Sequence, residues 1–106
     1  MLRAEGRPVL VNMTAAWCLT CLVNERAALS GEAFESALTR NEVAYLKGDW
    51  TRRDPSITDY LASFARAGVP LYVLYPATGE PVILPQLLTG GLIEEALDQV
   101  GASRPL

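Results

Sequence analysis

Residues 9–21 read Val9-Leu10-Val11-Asn12-Met13-Thr14-Ala15-Ala16-Trp17-Cys18-Leu19-Thr20-Cys21. Val9–Met13 is short, apolar and partly β-branched, the pattern of a buried strand. Thr14-Ala15-Ala16 leads out of it. From Leu19 the period changes: Leu19, Leu22, Val23 and Ala27 recur at helical spacing, with Asn24, Glu25 and Arg26 between them. The only two cysteines of the chain, Cys18 and Cys21, therefore stand where a strand turns into a helix. Every other stretch can be read by how it supports that junction.

Two cysteines three positions apart at a helix start share one face and lie within reach of a disulfide. The first meets the unpaired N–H groups and the positive end of the helix dipole, which favour thiolate over thiol. The second lies deeper in the first turn. Thiol–disulfide exchange needs that asymmetry, an exposed attacking sulfur and a shielded resolving one. Cys18 is thus the expected nucleophile and Cys21 the resolver. A purely structural disulfide fits less well, because closing so small a loop restricts the unfolded chain little. A structural zinc site needs four ligands, and the chain has two cysteines and no histidine. Two unrelated buried cysteines would suit the composition but not the junction.

Downstream, Ser30-Gly31 punctuates, with Ser30 the expected cap of a second helical piece bearing Phe34, Ala37 and Leu38. Val43–Trp50 reads as a second strand. Asp54-Pro55 is a helix start, and Ile57, Tyr60, Leu61, Phe64 and Ala65 form one face of that helix. Gly68 stands where a left-handed C-terminal cap is expected. Leu71–Tyr75 is a third strand, Pro76–Glu80 a turn, and Pro81–Leu84 a fourth strand paired to the third as a hairpin. Leu92, Ile93, Ala96, Leu97 and Val100 make a last amphipathic helix, ended by Gly101. Met1–Arg7 is polar and expected to fray. The order β-α-β-α-β-β-α predicts an α/β fold: a mixed four-stranded sheet with helices on both faces.

The totals narrow the function. A chain of 106 residues with half its residues apolar suits one modest core, so residues 1–106 are expected to form one domain. Net charge is −3, without a basic block, which speaks against nucleic acid. No apolar run approaches the ~18 residues a membrane span needs, so no direct membrane insertion by this chain is expected. The same totals also suit a domain cut from a longer polypeptide.

The run Val11–Cys21, the segment Gly68-Val69-Pro70 and the element order resemble the thioredoxin superfamily, over roughly Pro8 to Gly101. Trp17-Cys18-x-x-Cys21-x-x-x-Glu25, Asp49-Trp50-Thr51 and Gly68-Val69-Pro70-Leu71-Tyr72-Val73 are similar to the C-terminal periplasmic domain of DsbD/ScsB-type membrane thiol:disulfide interchange proteins. The resemblance implies a thioredoxin-like fold and a redox-active Cys18–Cys21 pair needing no further cofactor or metal. It implies that Trp17 flanks the reactive sulfur, that Pro70 is a cis-proline facing the pair, and that a partner's backbone docks beside Val69 and Pro70. It implies that Glu25 tunes cysteine protonation. There are departures. Asn12 stands where thioredoxins usually carry a buried Asp, so any proton relay falls to Glu25 or to water. Leu22 replaces a common lysine, and Leu19-Thr20 is neither of the familiar central dipeptides.

Other residues read more plainly. Asn12 is an expected hydrogen-bonded core amide, since a buried polar group needs partners. Trp50, Tyr72 and Tyr75 read as packing, and Arg52-Arg53-Asp54 as a solvated loop. The leading expectation is a thiol:disulfide oxidoreductase that passes reducing equivalents from a membrane-embedded donor domain of the same polypeptide to extracytoplasmic thiol proteins, placing it in the periplasm. One alternative is a free-standing thioredoxin-like reductase of cytoplasm or periplasm. Another is a redox-inactive thioredoxin-fold binding module with vestigial cysteines.

Overall fold

The computed structural model describes residues 6–102; residues 1–5, most of the expected frayed start, lie outside them. The described residues form eight elements, one more than in β-α-β-α-β-β-α because the second helical piece stands as a helix of its own: β1 (Val9–Thr14), α1 (Leu19–Ala27), α2 (Glu32–Arg40), β2 (Ala44–Asp49), α3 (Pro55–Ser63), β3 (Leu71–Tyr75), β4 (Val82–Ile83) and α4 (Gly90–Ala102). The sheet runs β2-β1-β3-β4. β1 pairs parallel with β2, in the register Leu10↔Tyr45 and Asn12↔Lys47. It pairs antiparallel with β3, Leu10↔Leu74 and Asn12↔Tyr72, and β4 closes the hairpin on β3. The chain therefore has a mixed four-stranded sheet in a thioredoxin-like α/β fold. β1 is central, and its C-terminal end delivers the chain straight into the cysteine pair.

Alternation along the central strands sends side chains to two cores. Leu10, Tyr72 and Leu74 pack with Phe34 and Ala37 of α2 and Ile93, Leu97 and Val100 of α4. Val9, Val11, Leu71 and Val73 pack on the other face with Leu61, Ile57, Tyr60 and Phe64 around α3, and with Trp50. Helices thus cover both faces. At Gly48 on β2 a Cβ would run into the Met13 sulfur of the neighbouring strand, so any larger residue there would have to push that flexible side chain aside.

Four local expectations are corrected. The buried face of α1 is Cys21 and Asn24, continuing into Ala28 and Leu29, whereas Leu19, Leu22, Val23 and Ala27 are exposed. The cysteine pair sets the rotation of this helix, and its apolar residues fall on the outside. The N-cap of α2 is Gly31, at φ +91°, and Ser30 instead donates to the Arg26 carbonyl. The left-handed residue ending α3 is Ala65 (φ +59°), not Gly68; Arg66 N–H returns to Leu61 O at 3.0 Å and Ala65 N–H to Ala62 O at 2.9 Å. Helix α4 continues past Gly101 to Ala102. The expected Asp54 cap stands: its carboxylate accepts the Ser56 N–H at 2.8 Å, with Pro55 in the first turn.

Candidate active site

Cys18 is the N-cap of α1, with extended backbone, and it is disulfide-bonded to Cys21. Its sulfur accepts the Cys21 backbone N–H at 3.2 Å. A donor that the helix start would otherwise leave unpaired thus points at Cys18 Sγ. Cys21 is fully buried and Cys18 is 8% exposed, so of the two only Cys18 meets solvent, and through a narrow window. The open exposure expected for Cys18 is in fact this small aperture. Ala15 and Val69 pack against the pair, and the Val69–Pro70 peptide bond is cis. Pro70 is buried, and Arg66 donates to its carbonyl at 3.2 Å. Residues nearly fifty positions downstream of the cysteines in sequence thus form the opposite lip of the site.

The loop after β2 fastens the other side. Asp49 Oδ1 accepts from both the backbone N–H and the hydroxyl of Thr51. Those hydrogen bonds, the side-chain one foremost, hold the Asp49 carboxyl below the usual carboxylate range. Thr51 in turn accepts the Ala16 N–H on its hydroxyl at 2.8 Å and the Trp17 indole N–H on its carbonyl at 3.0 Å. Trp17, half exposed, is therefore held on its polar edge while its ring stays at the surface beside Cys18. Its ring lies 5.8 Å from that of Trp50, tilted by 54°. Trp50 is buried, as expected of a packing residue, and donates its indole N–H to Thr58. It also borders the site, because a Cβ on Gly68 would stand 3.7 Å from its ring.

Arg53 was expected in a solvated loop. It is exposed, yet its guanidinium carbon lies 5.1 Å from the ring centroids of both Trp17 and Trp50. No local sequence pattern announced this, or the part played by Thr51. The nearest signal was the Asp-x-Thr spacing, which permits a side chain to fold back on the backbone two residues on.

Behind the pair, Glu25 is not a solvated carboxylate. Its side chain is 20% exposed, accepts the Thr14 hydroxyl at 2.9 Å and forms an ion pair with Lys47. The hydrogen bond to Glu25 is the main cause of a raised Lys47 pKa. Thr14, Glu25, Lys47 and Asp49 line an open cleft of about 360 Å³, with Leu22 at its rim. Asn12 is fully buried, and its amide donates to the Tyr45 hydroxyl at 2.8 Å. Among the described residues its carbonyl oxygen finds no partner, so the expected core amide is only half satisfied. Burial raises the Tyr45 pKa, against the effect of the Asn12 hydrogen bond.

Asn24, which reads in sequence as an ordinary polar position, is fully buried. It donates to the Tyr72 hydroxyl at 2.9 Å and the Gln86 carbonyl at 2.6 Å, and accepts the Leu88 N–H at 3.0 Å. This side chain ties the helix carrying the cysteines to β3 and to the segment before α4. Among the described residues no cluster of three or more metal-ligating side chains occurs, and no helix is long and apolar enough to cross a membrane.

Comparisons with known proteins agree with this geometry. Over 80 residues the chain is 28% identical to the thiol:disulfide interchange protein DsbD of Vibrio cholerae, a match covering 76% of this chain and 13% of that protein. The chain therefore spans only a small part of that relative's length. Among solved structures, the oxidised C-terminal domain of Neisseria meningitidis DsbD superposes with a TM-score of 0.77 at 19% identity, covering 92% of this chain and 84% of that one. A thioredoxin from Thermus thermophilus gives 0.64 at 19% identity, over 92% and 74% of the two chains. At these identities the superpositions speak for the fold. The sequence model of the thioredoxin-like family matches residues 1–77, which include the cysteine pair, Glu25, the Thr51 loop and the cis-proline, and the chain belongs to that family.

Proposed function

We propose that the chain is a thiol:disulfide oxidoreductase working as a reductase. The observation that carries the reading is the Cys18–Cys21 disulfide at the N-terminus of α1, with one sulfur meeting solvent and the other sealed. In the reduced protein the Cys18 thiolate, favoured by the Cys21 N–H and the helix dipole, attacks a sulfur of the partner's disulfide. One partner sulfur leaves as a thiolate and the other is held by Cys18 in a mixed disulfide. Cys21, losing its proton, then attacks Cys18 Sγ, releases the second partner sulfur and restores the Cys18–Cys21 disulfide. Two electrons pass to the partner, and a donor dithiol must return them. The pair is the redox group, so the reading calls for no further cofactor.

Val69 and Pro70, packed beside the pair, are the docking lip for the partner's backbone, and Trp17 shields the reacting sulfur from water. Glu25 acts on cysteine protonation from behind, with Lys47 balancing its charge. The similarity to part of a DsbD protein supports a finer reading. Here the donor is a membrane-embedded domain of the same polypeptide, the recipients are extracytoplasmic thiol proteins, and the location is the periplasm. With no histidine in the chain to over-stabilise the thiolate, the couple belongs nearer thioredoxin, at about −270 mV, than the strong oxidase at about −120 mV.

The test is trapping. Cys21→Ser should accumulate mixed disulfides with partner proteins, because the resolving thiol is gone, while Cys18→Ser traps almost none. Equal trapping by both variants in mass spectrometry would refute the assigned order of attack. The length of the native polypeptide decides the anchored form, since several apolar spans upstream are required.

A further inference from the structure

Arg53 occupies a costly position. Its backbone is left-handed at φ +54°, a conformation that costs a residue with a Cβ about 1–2 kcal/mol relative to right-handed backbone. The turn is held by the Arg53 N–H on the Trp50 carbonyl at 2.9 Å and by the Asp54 cap that follows. Glycine would suit the turn better. The arginine there projects a guanidinium 5.1 Å from each of two indole rings, one of them directly preceding Cys18.

A cation over an aromatic ring is held by the ring's quadrupole, and that contact uses none of the guanidinium N–H donors. The local carboxylates are already committed: Asp49 to Thr51, and Asp54 to the Ser56 N–H. Among the described residues Arg53 makes no salt bridge and no side-chain hydrogen bond. A guanidinium held near two rings, with no ion pair of its own among the described residues, is a receptor for a carboxylate, which it can take bidentately. Its place is also fixed. Trp50 carries Arg53 on its ring and borders Gly68, which leads into the Val69–Pro70 lip. Arg53 thus stands, through Trp17 and Trp50, on the side of the site where both Cys18 and the lip are reached.

We propose that Arg53, clamped on Trp17 and Trp50, is a specificity residue that binds an acidic side chain flanking the partner's reactive cysteine. The proposal rests on the reductase reading above. Arg53 takes no part in bond making. It selects which disulfides are presented to Cys18, favouring those with Asp or Glu within two residues of the sulfur. The electron balance is that of the exchange reaction: the dithiol is oxidised, and one peptide disulfide becomes two thiols.

The experiment uses the reduced full chain and synthetic peptides dimerised through a single cysteine, with Asp or Asn at each of the two positions on either side. Wild type should reduce the best Asp peptide about 5–10-fold faster in kcat/KM than its Asn counterpart, the order expected of one charge-assisted bidentate contact. That preference should shrink as salt rises. Arg53→Gln should bring the ratio near one, chiefly by slowing reduction of the Asp peptides. Arg53→Gly, which relaxes the turn, should do the same and guards against a folding defect in the first variant. Arg53→Lys should keep part of the preference, having charge without the fork. An Asp/Asn ratio unchanged in both Arg53→Gln and Arg53→Gly overturns the proposal. So does a shift of the Cys18 alkylation-versus-pH curve with equal slowing on all peptides, which would make Arg53 a tuner of the thiolate. Failure of wild type to reduce any of the peptides sinks the reductase reading itself, and is distinguishable from both.

Discussion

The amide of Asn24 serves three partners at once, the Tyr72 hydroxyl, the Gln86 carbonyl and the Leu88 N–H. Truncation leaves all three short of a partner inside the protein, and each buried orphan costs about 1–3 kcal/mol. Asn24→Ala should therefore destabilise the protein by roughly 2–4 kcal/mol in urea titration, with the losses only partly additive. Asn24→Asp should fare little better, since a carboxylate keeps the acceptor for Leu88 but sets oxygen against the Gln86 carbonyl. A cost below that of a surface substitution, within ~0.5 kcal/mol, would show that water replaces the amide. Residues of this kind mark where sequence reading stops. The cysteine pair was legible because its spacing and its junction carry the chemistry locally. Asn12 was legible as a core amide because it interrupts an apolar strand. Asn24 sat among polar neighbours in a helix whose apolar residues suggested another buried face, and its partners lie 48, 62 and 64 positions away. Arg53 and Thr51 escaped for the same reason, since their meaning depends on Trp17 and Ala16 across the fold.

Elements were more readable than their ends. Strand alternation and the Asp54-Pro55 start are encoded within a few residues, and the four strands and α3 follow from them. The stop of α3 is not local. The residue before a proline is driven toward extended backbone, so the helix has to end well before Val69. Phe64 must still reach Tyr60, whose ring lies 5.2 Å away, and this places the turn at Ala65 rather than at the nearby glycine. An alanine in a left-handed cap carries a steric penalty that glycine lacks. Ala65→Gly should accordingly stabilise the protein by about 0.5–1 kcal/mol, the penalty relieved less the entropy added to the unfolded chain. Gly68→Ala gives the contrast: its Cβ would meet only the Trp50 ring at ordinary contact distance. Thermal melts of the two variants should move Tm up for the first by a few degrees, and a fall in Tm for Ala65→Gly would contradict the cap assignment.

At the scale of the molecule, three phenols spread over both cores titrate against folding. Burial raises the pKa values of Tyr45, Tyr60 and Tyr72, and for Tyr60 the hydrogen bond to Tyr75 adds to it. A group whose folded pKa lies above its unfolded value, here about 10, stabilises the fold fully below that value. The contribution is lost as pH rises through the folded pKa. Lys47, raised by its hydrogen bond to Glu25, acts in the same sense. The protein should therefore lose stability steadily above pH ~10, with native phenolate absorbance lagging that of the denatured chain. Tyr60→Phe should flatten this alkaline limb. An unaltered slope, with normal phenol titration in the native state, would mean that water reaches these hydroxyls freely.

The grip on the cysteine pair has a consequence in time. As the chain emerges during synthesis, Cys18 and Cys21 precede the groups that hold their surroundings: Thr51 lies 34–35 positions beyond Ala16 and Trp17, and Leu88 lies 64 beyond Asn24. At about 5–20 residues per second, the longest of these lags is roughly 3–13 s. For that interval the two thiols belong to a segment with a helix start and no lid. The burial of Cys21 is thus a late acquisition of the growing chain, and so is the division of labour between the sulfurs. Until Val69 has arrived to pack against the pair, neither sulfur is covered as it is in the fold.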